Sequence, residues 1–203
     1  MAASTPSIIC NVALGYLGNY QIDDITTPRN AIEKICAFWY KRTKRACLRE
    51  FLLNESIAAI RIAESTDTPV TDWSYLYELP ADNLRVLSIG DYRLNSWGFE
   101  NGKLACDLSA GEDGLLVRYV KDIGEENLND SFIEYLGLRL AYNMCYQITK
   151  KSDLVVRIKE MMDMAEGRVS TAEGRENKPV IVNNSKYKNA RYSGEHPYKR
   201  YKV

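Results

Sequence analysis

The sequence predicts an α+β fold: an antiparallel helical bundle with a small antiparallel β-rich insertion between its third and fourth helices, and an extended C-terminal tail. Three observations carry this prediction. Near both ends of the 203-residue chain, apolar residues recur at the spacing of one helical face. Between them the pattern changes to the two-residue alternation of a pleated strand. After Gly174 the period lapses into a polar, cationic stretch that cannot bury a core of its own. A chain of this length holds one good core, or a core with one sizeable insertion. The expected boundaries are 1–65 and 129–174 for the bundle, 66–128 for the insertion and 175–203 for the tail.

Thr5 and Pro6 have the types of an N-cap and a first helical residue. Ile8, Ile9, Val12, Ala13, Tyr16 and Leu17 then share a helical face, and Gly18 and Asn19 stop the run. Thr27 and Pro28 repeat the start signal. Ile32, Ile35, Cys36, Trp39, Thr43, Ala46 and Cys47 form the second stripe, while Lys34, Lys41, Arg42, Lys44, Arg45 and Arg49 occupy the other faces. These cations gather toward the helix C-terminus, where they complement its dipole, and read as a solvated face. A third helix is predicted over 54–63, with Ile57, Ala58, Ile60 and Ile62 largely apolar.

From Thr66 a Thr, Asp and Pro linker opens the β-rich part. Strands are predicted over 73–79, 84–89, 103–108 and 115–121, with Asn101 and Gly102 as a hairpin signal and a turn at 111–114. Ser131 with Glu134 resembles a capping box for a helix whose Ile133, Leu136, Leu140 and Met144 face inward. Leu154, Val155, Ile158, Met161, Met162 and Ala165 make a last stripe, running to Thr171.

Lys plus Arg equals Asp plus Glu at 27 each, so the chain as a whole is no polyanion binder. The distribution is uneven. Between residues 175 and 203 eight Lys and Arg face only Glu176 and Glu195, a surplus of six, and the preceding body carries the opposite sign. Cys10, Cys36, Cys47, Cys106 and Cys145 are odd in number and lack a C-x-x-C pair, which disfavours a disulfide framework and a zinc site and implies a reducing compartment. No signal-peptide pattern opens the chain, and no apolar run approaches the roughly 20 residues that span a bilayer.

Catalytic patterns are missing from the sequence. There is no G-x-G-x-x-G, phosphate-loop, H-E-x-x-H or calcium-loop motif, and the single histidine, His196, falls in the tail where no scaffold would hold it against a nucleophile. Neither an enzyme nor a cofactor or metal site is expected. Asp23 with Asp24, and Glu125 with Glu126, read as solvated loop carboxylates. Trp39, Met161 and Met162 sit on apolar stripes and read as packing, with Met164 beside them.

The most informative stretch is Trp73, Tyr75, Tyr77, Glu78, Leu79, Pro80, Ala81, Asp82, Leu84, Arg85, Val86 and Leu87. Three aromatics at a spacing of two share one face of a strand, Pro80 ends the ladder, and an apolar strand resumes after the turn at Ala81, Asp82 and Asn83. This stretch resembles the W-x-Y-x-Y-E-L-P-x-D-x-L-R-V-L signature of the tail tubular protein A family, the head-to-tail adaptors of short-tailed bacteriophages. Ala13, Leu14, Leu17 and Gly18, followed by the turn from Ile22 to Ile25, resemble the family's N-terminal A-L-x-x-L-G segment. The chain departs from the family before the third helix, reading Glu50, Phe51, Leu52, Leu53 and Asn54 in place of a Trp-Asn-Phe-Ala-like segment.

The resemblance implies a structural virion protein. Its helical core would form a ring, a dodecamer in the family, below the portal protein; the β-rich part would face the tail nozzle, the tail tube and the fibres; and ejected DNA would pass through the lumen as non-specific cargo. The implied location is the virion neck, after synthesis in the host cytoplasm, with no membrane partner. The tail is the candidate binding element, because Tyr187, Lys188, Arg191, Tyr192, Tyr198, Lys199, Arg200 and Tyr201 interleave residue types enriched at interface hot spots. Fully extended, residues 175–203 reach roughly 90 Å, far enough to cross onto a neighbouring protein. A different function class remains open at this point. A nucleic-acid-binding module would grip phosphates with the basic tail and with Lys41, Arg42 and Arg45.

Overall fold

The computed structural model describes residues 5–90 and 96–176. Helices α1 (Pro6–Tyr16) and α2 (Ala31–Glu50) are followed by six strands, β1 (Ile57–Ile62), β2 (Tyr75–Tyr77), β3 (Asn83–Ile89), β4 (Gly98–Glu100), β5 (Lys103–Cys106) and β6 (Leu115–Lys121). Helices α3 (Asp130–Thr149) and α4 (Ser152–Glu176) complete the order. The class is therefore mixed α+β, with two three-stranded antiparallel sheets, β1-β6-β3 and β2-β5-β4. The tail expected over 175–203 lies outside the described residues beyond Glu176.

Helix α1 starts as its sequence predicts. The Thr5 hydroxyl accepts from the Ile8 N–H, and Gly18, at φ +66°, takes the left-handed position past the last turn that a side chain disfavours. Helix α2 starts later than Thr27 and Pro28 suggest. Asn30 is its cap, accepting from the Glu33 N–H, while the Glu33 carboxylate reaches back to the Asn30 N–H. This reciprocal pair satisfies two orphan donors at once and outcompetes a lone proline start. For α3 the cap is Asn129, which accepts from the Phe132 N–H, so the Ser131 and Glu134 pair does not open the helix. Glu134 instead binds Arg168 of α4, at 3.1 Å.

The third helix predicted over 54–63 does not exist. A single 3-10 turn at Asn54–Ser56 leads into β1, whose residues pair with β6 from Ile57 opposite Val120 to Ile62 opposite Leu115. Three isoleucines in six residues fit a pleated surface, and the long-range ladder with β6 overrides the weak helical spacing. Two helices, not three, precede the sheets. The β-rich part accordingly begins at Ile57, ahead of the expected boundary at 66. A short strand absent from the prediction, β4, pairs with β5 across the turn at Asn101 and Gly102, both of which have positive φ.

Two buried clusters organise the molecule. In the larger, α3 is the hub against which α1, α2 and α4 pack. Leu14, Leu48, Phe132, Leu136, Leu140 and Met144 are fully buried there, and Phe51 stacks edge-on to Phe132 and Tyr135. Contact with α1 is close at Gly137, where an added Cβ would come within 2.7 Å of the Val12 side chain. The second cluster lies between the sheets, joining Ile62, Val86, Ile89, Leu115 and Val117 to Tyr77, Leu104 and Cys106. Strand β3 serves both. Register shifts between Asn83 and Arg85 and between Val86 and Ser88 turn Leu84 and Leu87 toward the helical cluster while Val86 and Ile89 enter the other. The inner end of the sheet is thus part of the helical core.

Some stripes shift on inspection. Ala46 is exposed and Lys44 buried, the reverse of the predicted assignment on α2, and Ile8 and Met161 are exposed where inward positions are predicted.

Candidate functional site

Strand β2, the Pro80 corner and β3 hold the signature residues, and each contact there is structural. Tyr77 is fully buried and its hydroxyl donates to the Leu108 carbonyl at 2.5 Å. Tyr75 and Leu79 pack against the same cluster. Trp73 lies ahead of the strand and lays its indole over Gly98, where an added Cβ would meet Nε1 at 3.2 Å. The aromatic row is therefore shorter than predicted. Pro80 accepts from the Asn83 N–H to close the turn.

Beyond the corner the contacts reach other elements. The Asp82 carbonyl accepts from the Asp122 N–H at 2.8 Å, and its carboxylate accepts from the Tyr119 hydroxyl at 3.2 Å. Leu84 and Val86 enter the two clusters. Arg85 donates to the Arg49 carbonyl at 3.0 Å, placing a guanidinium on the last turn of α2, where unsatisfied carbonyls and the negative dipole end favour a cation. The stretch that carries the resemblance is thus the joint between helices and sheets.

A second joint was missed in the sequence. Lys44 Nζ donates to Glu125 Oε1 at 2.9 Å and lies 3.5 Å from Asp122 Oδ1, while Tyr40 donates to the same Glu125 oxygen at 2.9 Å. Arg45 approaches Asp122 from outside at 3.7 Å. Burial pushes the Glu125 carboxyl up, but the Lys44 ammonium and the Tyr40 hydroxyl outweigh it and leave it below the ordinary range. Tyr40 moves the other way, raised by burial and then by the Glu125 charge. Lys44 and Glu125 are not the solvated charges that the sequence suggests. The only local signal was a lysine four residues after a tyrosine, on the flank of an apolar stripe.

Other predicted positions hold turns rather than chemistry. Asp24 accepts from the Thr26 hydroxyl and N–H and from the Thr27 hydroxyl, which together hold its carboxyl down to about 2. With Asp23, Thr27, Arg29 and Glu33 it lines an open hollow of about 310 Å³. The Glu33 carboxylate is spent on the Arg29 and Asn30 N–H groups, so no free acid–base pair converges there. Among the described residues no three His, Cys, Asp or Glu side chains are placed to hold a metal ion, and no helix is long and apolar enough to cross a membrane. All five cysteines are free and buried.

Surface chemistry concentrates on α2. Lys34, Phe38, Lys41, Arg42, Arg45 and Arg49 are exposed along roughly 22 Å of helix. Arg42 sits 4.6 Å from the centre of the Phe38 ring, and Phe38 meets Trp39 edge-on at 5.2 Å. Trp39 is only partly buried, and its indole N–H donates to Gln147 of α3 at 3.2 Å. The tail candidates Tyr187, Lys188, Arg191, Tyr192, Tyr198, Lys199, Arg200 and Tyr201 lie outside the described residues, as does His196. No protein-family model matches the chain, and no curated protein matches it.

Proposed function

We propose that the chain is a head-to-tail adaptor of the tail tubular protein A type, a virion protein that joins the portal to the tail nozzle as a ring and leaves a channel for ejected DNA. One observation carries this reading. The signature stretch from Trp73 to Leu87 is a single joint that ties α2, β6 and both sheets together, which gives a physical reason for Tyr77, Asp82, Leu84, Arg85 and Val86 at their positions. In this reading the protein works through interfaces rather than reactive groups. The helices form the ring, in the family a dodecamer, and the β-rich part meets the nozzle. The C-terminal tail folds on contact with the portal, with Tyr192, Tyr198 and Tyr201 as anchors and Arg191, Lys199 and Arg200 paired to portal acids.

Ordering such a tail costs on the order of 1 kcal/mol per residue, so a single copy would bind weakly and a ring of copies would bind well. The test is native mass measurement of the purified chain with and without assembled portal. A complex of one ring per portal is expected, and it should be lost when the chain ends at Glu176. A shortened chain that docks with undiminished affinity would overturn the mechanism.

The exposed cationic face of α2 favours one second reading, a nucleic-acid-binding module that also uses the basic tail. It predicts DNA affinity that falls steeply with salt and drops when Lys41, Arg42 and Arg45 are replaced together by Gln. Absent or salt-insensitive DNA binding would remove it.

A further inference from the structure

Strand β1 is bonded to β6 on one side only. Along its other side no strand pairs with it among the described residues. Its centre is open on both faces as well: Ala59 and Arg61 are exposed, and Ile60 between them is 39% exposed. A strand with one covered face shows alternate burial, so three consecutive exposed residues mean that neither face is covered here. An unpaired edge of this kind, short of charge and rich in Ile and Ala, invites another strand.

The chain supplies a matching segment. Val180, Ile181 and Val182 are the one run of consecutive apolar residues after Glu176, and all three are β-branched. Pro179 precedes them, at the start position where a strand tolerates proline, and Asn183 and Asn184 follow as turn formers. The path of α4 points toward one end of β1. Arg139 of α3 touches both Met162 of α4 and Glu50 at the end of α2, and Arg168, further along α4, binds Glu134 in the second turn of α3. Phe132, in the first turn of α3, meets Phe51, whose ring centre is 6.2 Å away and which stands just ahead of β1. Helix α4 therefore runs toward the end at which β1 begins.

We propose that residues 180–182 of the same chain add to the free edge of β1. Residues 177–179 provide roughly 10 Å of connection, and a segment arriving at the Ile57 end runs beside β1 in the same direction. The pairing covers Ile60 and satisfies backbone groups along the edge. It also shortens the free length of the tail, since residues 184–203 extended span roughly 65 Å. This inference does not depend on the portal reading and stands if that reading fails.

Hydrogen exchange on the full chain, read by mass spectrometry, tests it. Ile181→Pro removes an N–H and a strand-compatible backbone in the added segment only. The peptide spanning Ile57–Ile62 is expected to exchange about tenfold faster in this variant than in the native chain, with α3 peptides unchanged. Conversely, Ile60→Lys should speed exchange in the peptide that holds residues 180–182. Equal exchange of β1 in the native chain and the Ile181→Pro variant would overturn the proposal. So would protection that grows with protein concentration, because a second copy would then be the occupant.

Discussion

Replacing Lys44 by Met tests whether the charge cluster behind α2 holds the sheet to the helices. The Lys44 side chain is 9% exposed, and its partners Asp122 and Glu125 are 27% and 20% exposed. These exposures are too low for the small values of surface ion pairs, yet the site is not dry, so the effect belongs at the lower end of the range for breaking a buried pair. Lys44→Met takes the ammonium away from Glu125 and leaves its charge to the Tyr40 hydroxyl and a backbone N–H, and a loss of about 2–3 kcal/mol is expected. Read by urea unfolding at pH 7, Glu125→Gln alone should lose about 1–2 kcal/mol, because Gln still accepts from Tyr40. The double variant should be less destabilised than the two losses summed, by about 1 kcal/mol or more. Additive losses would refute the reasoning. The pH dependence has a definite sign. The Glu125 carboxyl is held below its ordinary value in the fold, so its contribution is complete above the unfolded value near 4.5 and disappears as pH falls through the lower folded one. Stability of the native chain should therefore fall more steeply below about pH 5 than that of Glu125→Gln.

Three further outcomes follow from single contacts. Tyr77→Phe removes the hydroxyl that donates to the half-buried Leu108 carbonyl, leaves it only the weak Cys106 thiol, and should destabilise by about 1 kcal/mol, measured by denaturant midpoint with an unchanged slope. Gly137→Ala should push α1 from α3 through Val12 and lose about 1 kcal/mol despite the better helix propensity of Ala; adding Val12→Ala should relieve that clash, which a thermal melt of both variants would detect. Lys150 ends α3 at φ +58°, so Lys150→Gly should raise stability by about 0.5–1 kcal/mol, visible as a higher Tm.

The helices and most strands were legible because their signals are local. Thr5, Pro6 and Gly18 bracket α1 in the sequence as they do in space, and the predicted bounds of the last strand, 115–121, are those of β6. The failures have physical causes outside the window of a local reading. Ile57, Ala58, Ile60 and Ile62 suit a helix or a strand about equally, and β6, more than 50 residues away, decides between them. Lys44 could not be seen as buried, since its carboxylate partners come from the segment after β6. The signature stretch was legible as a corner, but not as a joint: nothing in the sequence indicates that Arg85 reaches the last turn of α2.

Because α1 and α2 rest mainly on α3 and scarcely on each other, most of the apolar surface of these two helices stays uncovered until residues beyond 130 exist. At ordinary synthesis rates of about 5–20 residues per second, α1 waits on the order of ten seconds outside the ribosome with its apolar stripe uncovered. The helical core is thus completed late in synthesis, once its central helix has emerged.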